Sequence, residues 1–406
     1  MAHGKFANPF RPGAGHQPPY LAGREEEKKE FTRLLKQNEV LENMVLTGLR
    51  GVGKTVLIDT LKPIAMKAGW LWVGTDLSES TSLNEERMAL RLITDLAVAT
   101  SSVVINVEEI QRMGFQRKVR LEKRLDFETM GRVFKDANGL VSDKLKVVLE
   151  FVWISLQEHQ PQVRGVIFAY DEAQNLADHA AKDEYPLSLL LDVFQSIQKK
   201  KIPFMLAFAG LPTLFPKLVE ARTFSERMFR VLFLDRLDEA DSRDAIVKPI
   251  SETHCPVGIS EKGIEQIVVA SGGYPYFIQF ICREAYDVYL QRIATDTGAN
   301  VNIDEITRKL DSDFFAGRWA RVTDRQRQLL QVIAQLPNYG EGEFTVQEIT
   351  AASKQLLEHS FSPSHVNQML AKLNESGLVY KNRHGKYSFA VPLLGRFIMR
   401  QLVPQN

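Results

Sequence analysis

Residues 48–55 read GLRGVGKT, a glycine-broken loop set between the apolar runs VLT and VLI. The stretch fits G-x-x-x-x-G-K-[ST] in the context that pattern needs, with a strand before it and a helix after it. Gly48, Gly51 and Gly53 let the backbone fold into a nest whose N–H groups face phosphate oxygens without side chains in the way. Lys54 neutralises β- and γ-phosphates, the Thr55 hydroxyl ligates Mg2+, and the new helix adds the partial positive charge of its N-terminus. The backbone from Gly48 through Val56, with Val52 inside the loop, is thus the expected phosphate contact. A glycine-rich turn that merely precedes Lys-Thr is the bland reading of the same residues. Pro63 should end or kink the following helix after about two turns.

A second chemical signal is VIFAYDEAQNL at 166–176, a nearly all-apolar strand that ends in Asp171 and Glu172. Two carboxylates at the end of a buried strand are costly unless they meet a cation or a water network. The carboxyl edge of a parallel sheet beside a phosphate loop provides such a place. Asp171 is assigned to the magnesium shell and Glu172 to polarising the attacking water. Alternatively, Asp171 caps the next helix and Glu172 lies in its first turn.

The elements that must position these residues follow from the apolar pattern. Short apolar runs at 44–46, 71–73, 166–170 and 204–208 alternate with helix-length amphipathic segments, which predicts a parallel sheet with helical crossovers. Residues 24–37 read as a surface helix with Phe31, Leu34 and Leu35 on its buried stripe. The stretch 107–157 is long for one crossover, carries the basic run QRKVRLEKR at 116–124, and is expected to form extra helices. Residues 238–247, 260–270, 276–293 and 303–315 read as a small helical domain punctuated by glycines. Three further helices, 323–334, 345–353 and 364–375, precede LVYK, the turn NRHGK and YSFAV, the pattern of a winged helix. Ser364 is the expected cap of its third helix and Gly377 the expected end.

At 406 residues, 44% hydrophobic and 25% charged, the chain has material for more than one folded domain. Lys+Arg 51 against Asp+Glu 50 leaves a net charge of +1, so any nucleic-acid surface must be local. Cys255 and Cys282 lack metal-ligand spacing and read as reduced thiols. The Pro- and Gly-rich N-terminus has no continuous apolar core, and the longest apolar stretch, 203–215, is too short to span a bilayer. We therefore expect no membrane segment and a cytoplasmic location.

Together, GLRGVGKT, YDEAQNL and the leading PPYLAGREEE resemble the AAA+ and STAND side of the P-loop ATPases, in particular origin-recognition-like, transposition-helper-like and archaeal-type ATPases. The resemblance implies an α/β fold: a P-loop NTPase parallel sheet with a helical lid and a C-terminal winged helix. It places an extended arm at 1–20, the ATPase core at 21–235, the lid at 236–317 and the winged helix at 318–406. It also implies that the segment around Tyr20 borders an adenine pocket, hence ATP with Mg2+ as cofactors. Gly273 and Pro275, in SGGYPYFIQF, resemble a lid element that contacts nucleotide, although an ordinary loop before a Pro-initiated helix fits them equally.

Arg227 and Arg230 fall where relatives offer an arginine finger to a neighbouring subunit, which implies a homo-oligomer. The bland reading of both is a surface ion pair. One departure stands out: the strand PFMLAFAGLPTLF ends in Ala209, Gly210, Leu211 and Pro212, where relatives carry a polar sensor of the γ-phosphate. That departure argues against fast turnover. Lys372, on the third helix of the winged helix, and Lys381, Arg383 and Lys386, in its wing, are the candidate contacts to double-stranded DNA. The reading is therefore a slow ATPase whose nucleotide state controls assembly and DNA association. Its rivals are a STAND-type signalling or defence switch acting on a protein partner, and a nucleotide-binding scaffold with little turnover.

Overall fold

The apolar runs expected as strands do lie side by side in a parallel sheet. In chain order the strands of this part are β1 (Asn43–Thr47), β2 (Trp70–Val73), β3 (Val104–Ile110), β4 (Val119–Arg124), β5 (Gly165–Tyr170), β6 (Phe204–Gly210) and β7 (Phe229–Phe233). The sheet has the order β2-β5-β6-β1-β7, and each neighbouring pair is parallel. The computed structural model describes residues 8–13, 15–37, 39–110, 119–294, 302–383 and 385–402. It divides into two bodies, one of Glu25–Thr47 with Leu57–Phe233, the other of the described parts of Met1–Arg24, Gly48–Val56 and Leu234–Asn406.

The first body holds the sheet. β1, β5 and β6 are buried along their whole length, as expected of central parallel strands covered on both faces. Helices α1 (Glu25–Leu35), α2 (Lys54–Lys67), α3 (Glu85–Thr100), α4 (Phe127–Asp136), α5 (Val141–His159), α6 (Pro186–Lys199), α7 (Leu214–Ala221) and α8 (Ser225–Met228) connect and flank it. Phe31, Leu34 and Leu35 of α1 are buried, as their spacing predicts. Phe168 of β5 packs edge-on against Phe194 of α6, ring centroids 4.9 Å apart, a geometry worth about 0.5–1.5 kcal/mol beyond burial.

One expectation is corrected by the structure, and two local outcomes that the sequence left open are settled. The strands β3 and β4 pair antiparallel where helix was expected, and the expected extra helices of this stretch begin at α4. The alternation V-R-L-E-K-R at 119–124 has the period of a strand, and the charges obscured it. Pro63 does not end α2, which runs on to Lys67. The segment holding Arg230 is an edge strand, β7, paired with β1.

Thr47, at the end of β1, is fully buried, and its hydroxyl has no hydrogen-bond partner among the described residues. Thr47→Val keeps the shape and removes the orphaned group, so it should stabilise the protein by about 1 kcal/mol. A higher urea midpoint is the expected reading; a lower one would show that the hydroxyl is needed.

The second body is helical until its last third. It contains α9 (Glu239–Glu252), α10 (Glu261–Ser271), α11 (Pro275–Ala294) and α12 (Ile303–Leu310), the last continuing through a π-helical stretch, Asp311–Ala316, into α13 (Gly317–Trp319). The N-terminal arm is anchored to α11: Phe10 is buried against Tyr286, and Asn8 donates to Arg283 O at 3.0 Å and to Asp287 at 2.9 Å. Then come α14 (Asp324–Ala334), α15 (Val346–Leu356), α16 (Pro363–Glu375) and α17 (Leu394–Leu402), with strands β8 (Phe344–Thr345), β9 (Val379–Arg383) and β10 (Lys386–Phe389).

β8, β10 and β9 form an antiparallel sheet beside three of these helices, the arrangement of a winged helix. Gly377 ends α16 with φ at 69°, as expected. Ser362, not Ser364, caps its start, accepting from His365 N, because Pro363 takes the first helical position. No described helix is long and apolar enough to cross a membrane.

Candidate nucleotide-binding site

The phosphate loop is built as its glycines require. Gly51 and Gly53 have φ of 79° and 93°, conformations L side chains rarely adopt. A side-chain carbon added to Gly53 would meet nothing within 4 Å, so the loop leaves open space on that side. One added to Gly48 would lie 2.4 Å from Leu234 O, so that position is closed to any larger residue. Lys54 opens α2 and donates to Gly48 O and Leu49 O, both at 2.9 Å, which draws its ammonium over the loop. Thr55 and Val56 follow in the first turn, each half-buried. Val52 is buried and turns its carbonyl to Arg24.

Arg24 is a residue the sequence reading missed. Its side chain is buried; Nη2 donates to Val52 O at 2.9 Å and to Asp235 O at 2.8 Å. One guanidinium thereby ties the phosphate loop to the chain that leads into α9. Tyr276 was missed as well. Its N–H donates to Gly51 O at 3.1 Å, and its Cβ would stand 3.2 Å from a side-chain carbon on Gly51.

The lid segment therefore holds the loop directly, through the residue just after Pro275, which starts α11. Gly273, with φ of 78°, accepts from Leu237 N at 2.8 Å. Tyr20 lies under the ammonium of Lys248, 4.4 Å from the ring centroid, and its hydroxyl accepts from that group at 2.9 Å. Neither Arg24 nor Tyr276 has a local signal, because both act across long sequence separations.

In the first body, Asp171 and Glu172 leave β5 at its carboxyl end. Asp171 is buried, and its Oδ1 accepts from Glu172 N at 2.7 Å. A 3-10 turn, Ala173–Asn175, follows, and Glu172 at its cap position makes no side-chain cap bond. Glu172 is exposed and adopts φ 51° and ψ 32°, a left-handed conformation rare outside glycine and often found at functional sites.

Nearby, burial pushes the Asp59 carboxyl up, with the charges of Asp171 and Asp76 adding to the effect against Lys62. A cation would relieve that crowding. Among the described residues, no group of three or more His, Cys, Asp or Glu could hold a metal ion by itself. A magnesium ion here would need phosphate oxygens and water to complete its shell.

The comparisons with known proteins bear on the fold. A family model described as "Domain of unknown function (DUF8462)" matches residues 312–398, the region of the winged helix. No curated protein matches the chain. Among solved structures, the Walker-type ATPase of Pyrococcus abyssi is similar over 94% of this chain and 97% of its own, at 17% identity and a TM-score of 0.58. The ORC2 protein of Aeropyrum pernix in its ADP form is similar over 97% and 98%, at 13% identity and a TM-score of 0.53. The same protein in ADPNP-ADP complexes gives 96% and 98%, 12% and 0.50. The fold is that of the AAA+ P-loop ATPases.

Within this AAA+ fold the remaining candidate residues are spread out. Arg227 is exposed in the short helix α8, whereas Arg230 on β7 pairs with Glu30 of α1 at 3.3 Å. Lys372 is exposed on α16, Lys381 is exposed on β9, and Lys386 is half-buried on β10. Arg383 ends β9; its side chain lies outside the described part, as do His384 and the start of the basic run at 116–118. The exposed face of α16 also carries Asn367 and Gln368, so it is polar rather than basic.

Proposed function

We propose that this chain binds and hydrolyses ATP, slowly, and that its nucleotide state controls self-assembly and association with double-stranded DNA. The carrying observation is topological. The phosphate loop continues the chain from Thr47 at the end of β1, Asp171 and Glu172 continue it from Tyr170 at the end of β5, and both strands run parallel in one sheet. In this reading residues 21–235 are the ATPase core, 236–317 the lid and 318–406 the winged helix.

The backbone N–H groups of 48–56 cradle the phosphates, Lys54 offsets their charge, and Thr55 and Asp171 hold Mg2+. When bound, Mg2+ supplies charge neutralisation on the β- and γ-phosphates. Glu172 takes the proton of the attacking water. Tyr20 borders the base, while Gly273 and Pro275 place the lid on the nucleotide. The ORC2 structures compared above carry ADP or ADPNP, which supports an adenine nucleotide. Arg227 is the better candidate for a finger in a neighbouring subunit, because Arg230 already pairs with Glu30.

Lys372, Lys381, Arg383 and Lys386 meet the DNA backbone, and Asn367 and Gln368 are suited to base edges. A second reading, a nucleotide switch acting on a protein partner, draws on the single lysine of that polar helix face. The test combines titration of a fluorescent ATP analogue with duplex binding across a salt series. Lys54→Ala should weaken nucleotide binding at least about tenfold. Replacing the four basic residues with alanine should flatten the salt slope by about 3.6. Unchanged duplex binding in that variant would remove the DNA assignment and leave the protein-partner reading.

A further inference from the structure

The tip of β6 carries no polar side chain, since it ends in Ala209 and Gly210. A side-chain carbon on Gly210 would lie 2.8 Å from Oε1 of Gln174 and 2.8 Å from Leu214 Cδ2, closer than such atoms approach. The space beside the strand tip is thus filled by the amide of Gln174, delivered from the turn that follows β5.

Both ends of that amide are engaged. Oε1 accepts from Leu211 N at 3.0 Å, and Nε2 donates to the carboxylate of Glu172. A backbone N–H requires the oxygen and a carboxylate requires the N–H, so the two partners set the orientation of the amide. The main-chain carbonyl of Gln174 accepts from Lys217 Nζ at 2.7 Å. Burial pushes the Lys217 ammonium down, against the charge of Glu220, as befits a lysine that anchors this turn from inside.

We infer that Gln174 is the positioning residue of Glu172. Reaching the tip of β6 from the neighbouring strand's turn, it supplies the polar group that position 210 lacks, and it aims the exposed carboxylate. The inference rests on the proposed ATPase reading, in which Glu172 acts on the attacking water. The left-handed backbone of Glu172 leaves its side chain close to the turn that carries Gln174.

Single-turnover hydrolysis by the full chain, measured beside affinity for a fluorescent ATP analogue, tests this. Gln174→Ala should lower the rate by about 10- to 100-fold, the scale of a misplaced reacting group. Nucleotide affinity should stay within about threefold. Gly210→Asn in the Gln174→Ala background returns an amide to the tip and should recover at least about threefold of the rate. Gly210→Asn alone should lower it, because the two side chains compete for one space.

Gln174→Glu keeps an acceptor for Leu211 N–H and replaces the donor by a second carboxylate. Its rate should fall at least as far as that of Gln174→Ala, since a second carboxylate repels Glu172 from its place. A glutamine that served only the turn would keep its rate, because the acceptor for Leu211 N–H is kept, and this variant decides the matter if Gln174→Ala does not fold. A wild-type rate in Gln174→Glu overturns the inference. Glu172→Gln, run alongside, separates the two levels: if it alone loses activity, only the role of Gln174 falls, and if it keeps full activity, the ATPase mechanism itself falls.

Discussion

Glu172→Gln is expected to slow hydrolysis of bound ATP by roughly 10²- to 10⁴-fold while leaving nucleotide affinity within about threefold. The amide has the size of the carboxylate but takes no proton from water, so only the chemical step is removed. Glu172 suits the test because it is exposed and lies outside the packed core, so the exchange costs no buried contact. Its carboxylate is held by Gln174 and its backbone is left-handed, which fixes where the group points. Single-turnover measurement with saturating ATP reads the step directly. An unchanged rate would mean that another group activates the water.

The second large effect concerns stability behind the same strand. Asp95 of α3 is buried, and its carboxylate accepts from Tyr170 Oη at 2.9 Å, from Arg91 Nε at 2.9 Å and from Arg91 Nη2. Tyr170 is the last residue of β5, directly before Asp171, and burial holds its hydroxyl well above the ordinary tyrosine range, with Asp95 adding to the effect. Arg91→Met leaves the carboxylate buried with its cation gone, a change that costs about 3–5 kcal/mol in such pairs. Arg91 keeps 33% of its side chain in water, so the lower end, about 3 kcal/mol, is expected.

Against a typical total of about 5–15 kcal/mol this is a severe loss, legible as a lower urea midpoint. Arg91→Met combined with Asp95→Leu should recover only part of it, because the apolar pair removes the buried charge but leaves the buried Tyr170 hydroxyl without its acceptor. A single variant as stable as the wild type would show that water, rather than Arg91, satisfies Asp95.

Much of the fold was legible because its signals are local. The buried strands announced themselves as apolar runs, and α1 showed its stripe of Phe31, Leu34 and Leu35. The strand pair of β3 and β4 was misread because its alternation is carried by few apolar residues among many charges, which a helix face would also show. β7 is only five residues long and sits at the sheet edge, where pairing with β1 rather than composition makes it a strand. The cap at Ser362 turned on a neighbour, since Pro363 can occupy the first turn of a helix but not its interior.

The sequence by itself determined the phosphate loop, the carboxylates that end β5 and the order of sheet, helical region and winged helix. Each of these is a short-range pattern whose physical cause lies within a few residues. Tertiary structure alone decided how they are held. Arg24 on Val52 O, Tyr276 on Gly51 O and Gln174 beside Gly210 join residues far apart in the chain, through backbone atoms that every residue type shares. A main-chain carbonyl has no letter in a sequence, so its partner appears only when the chain has folded around it.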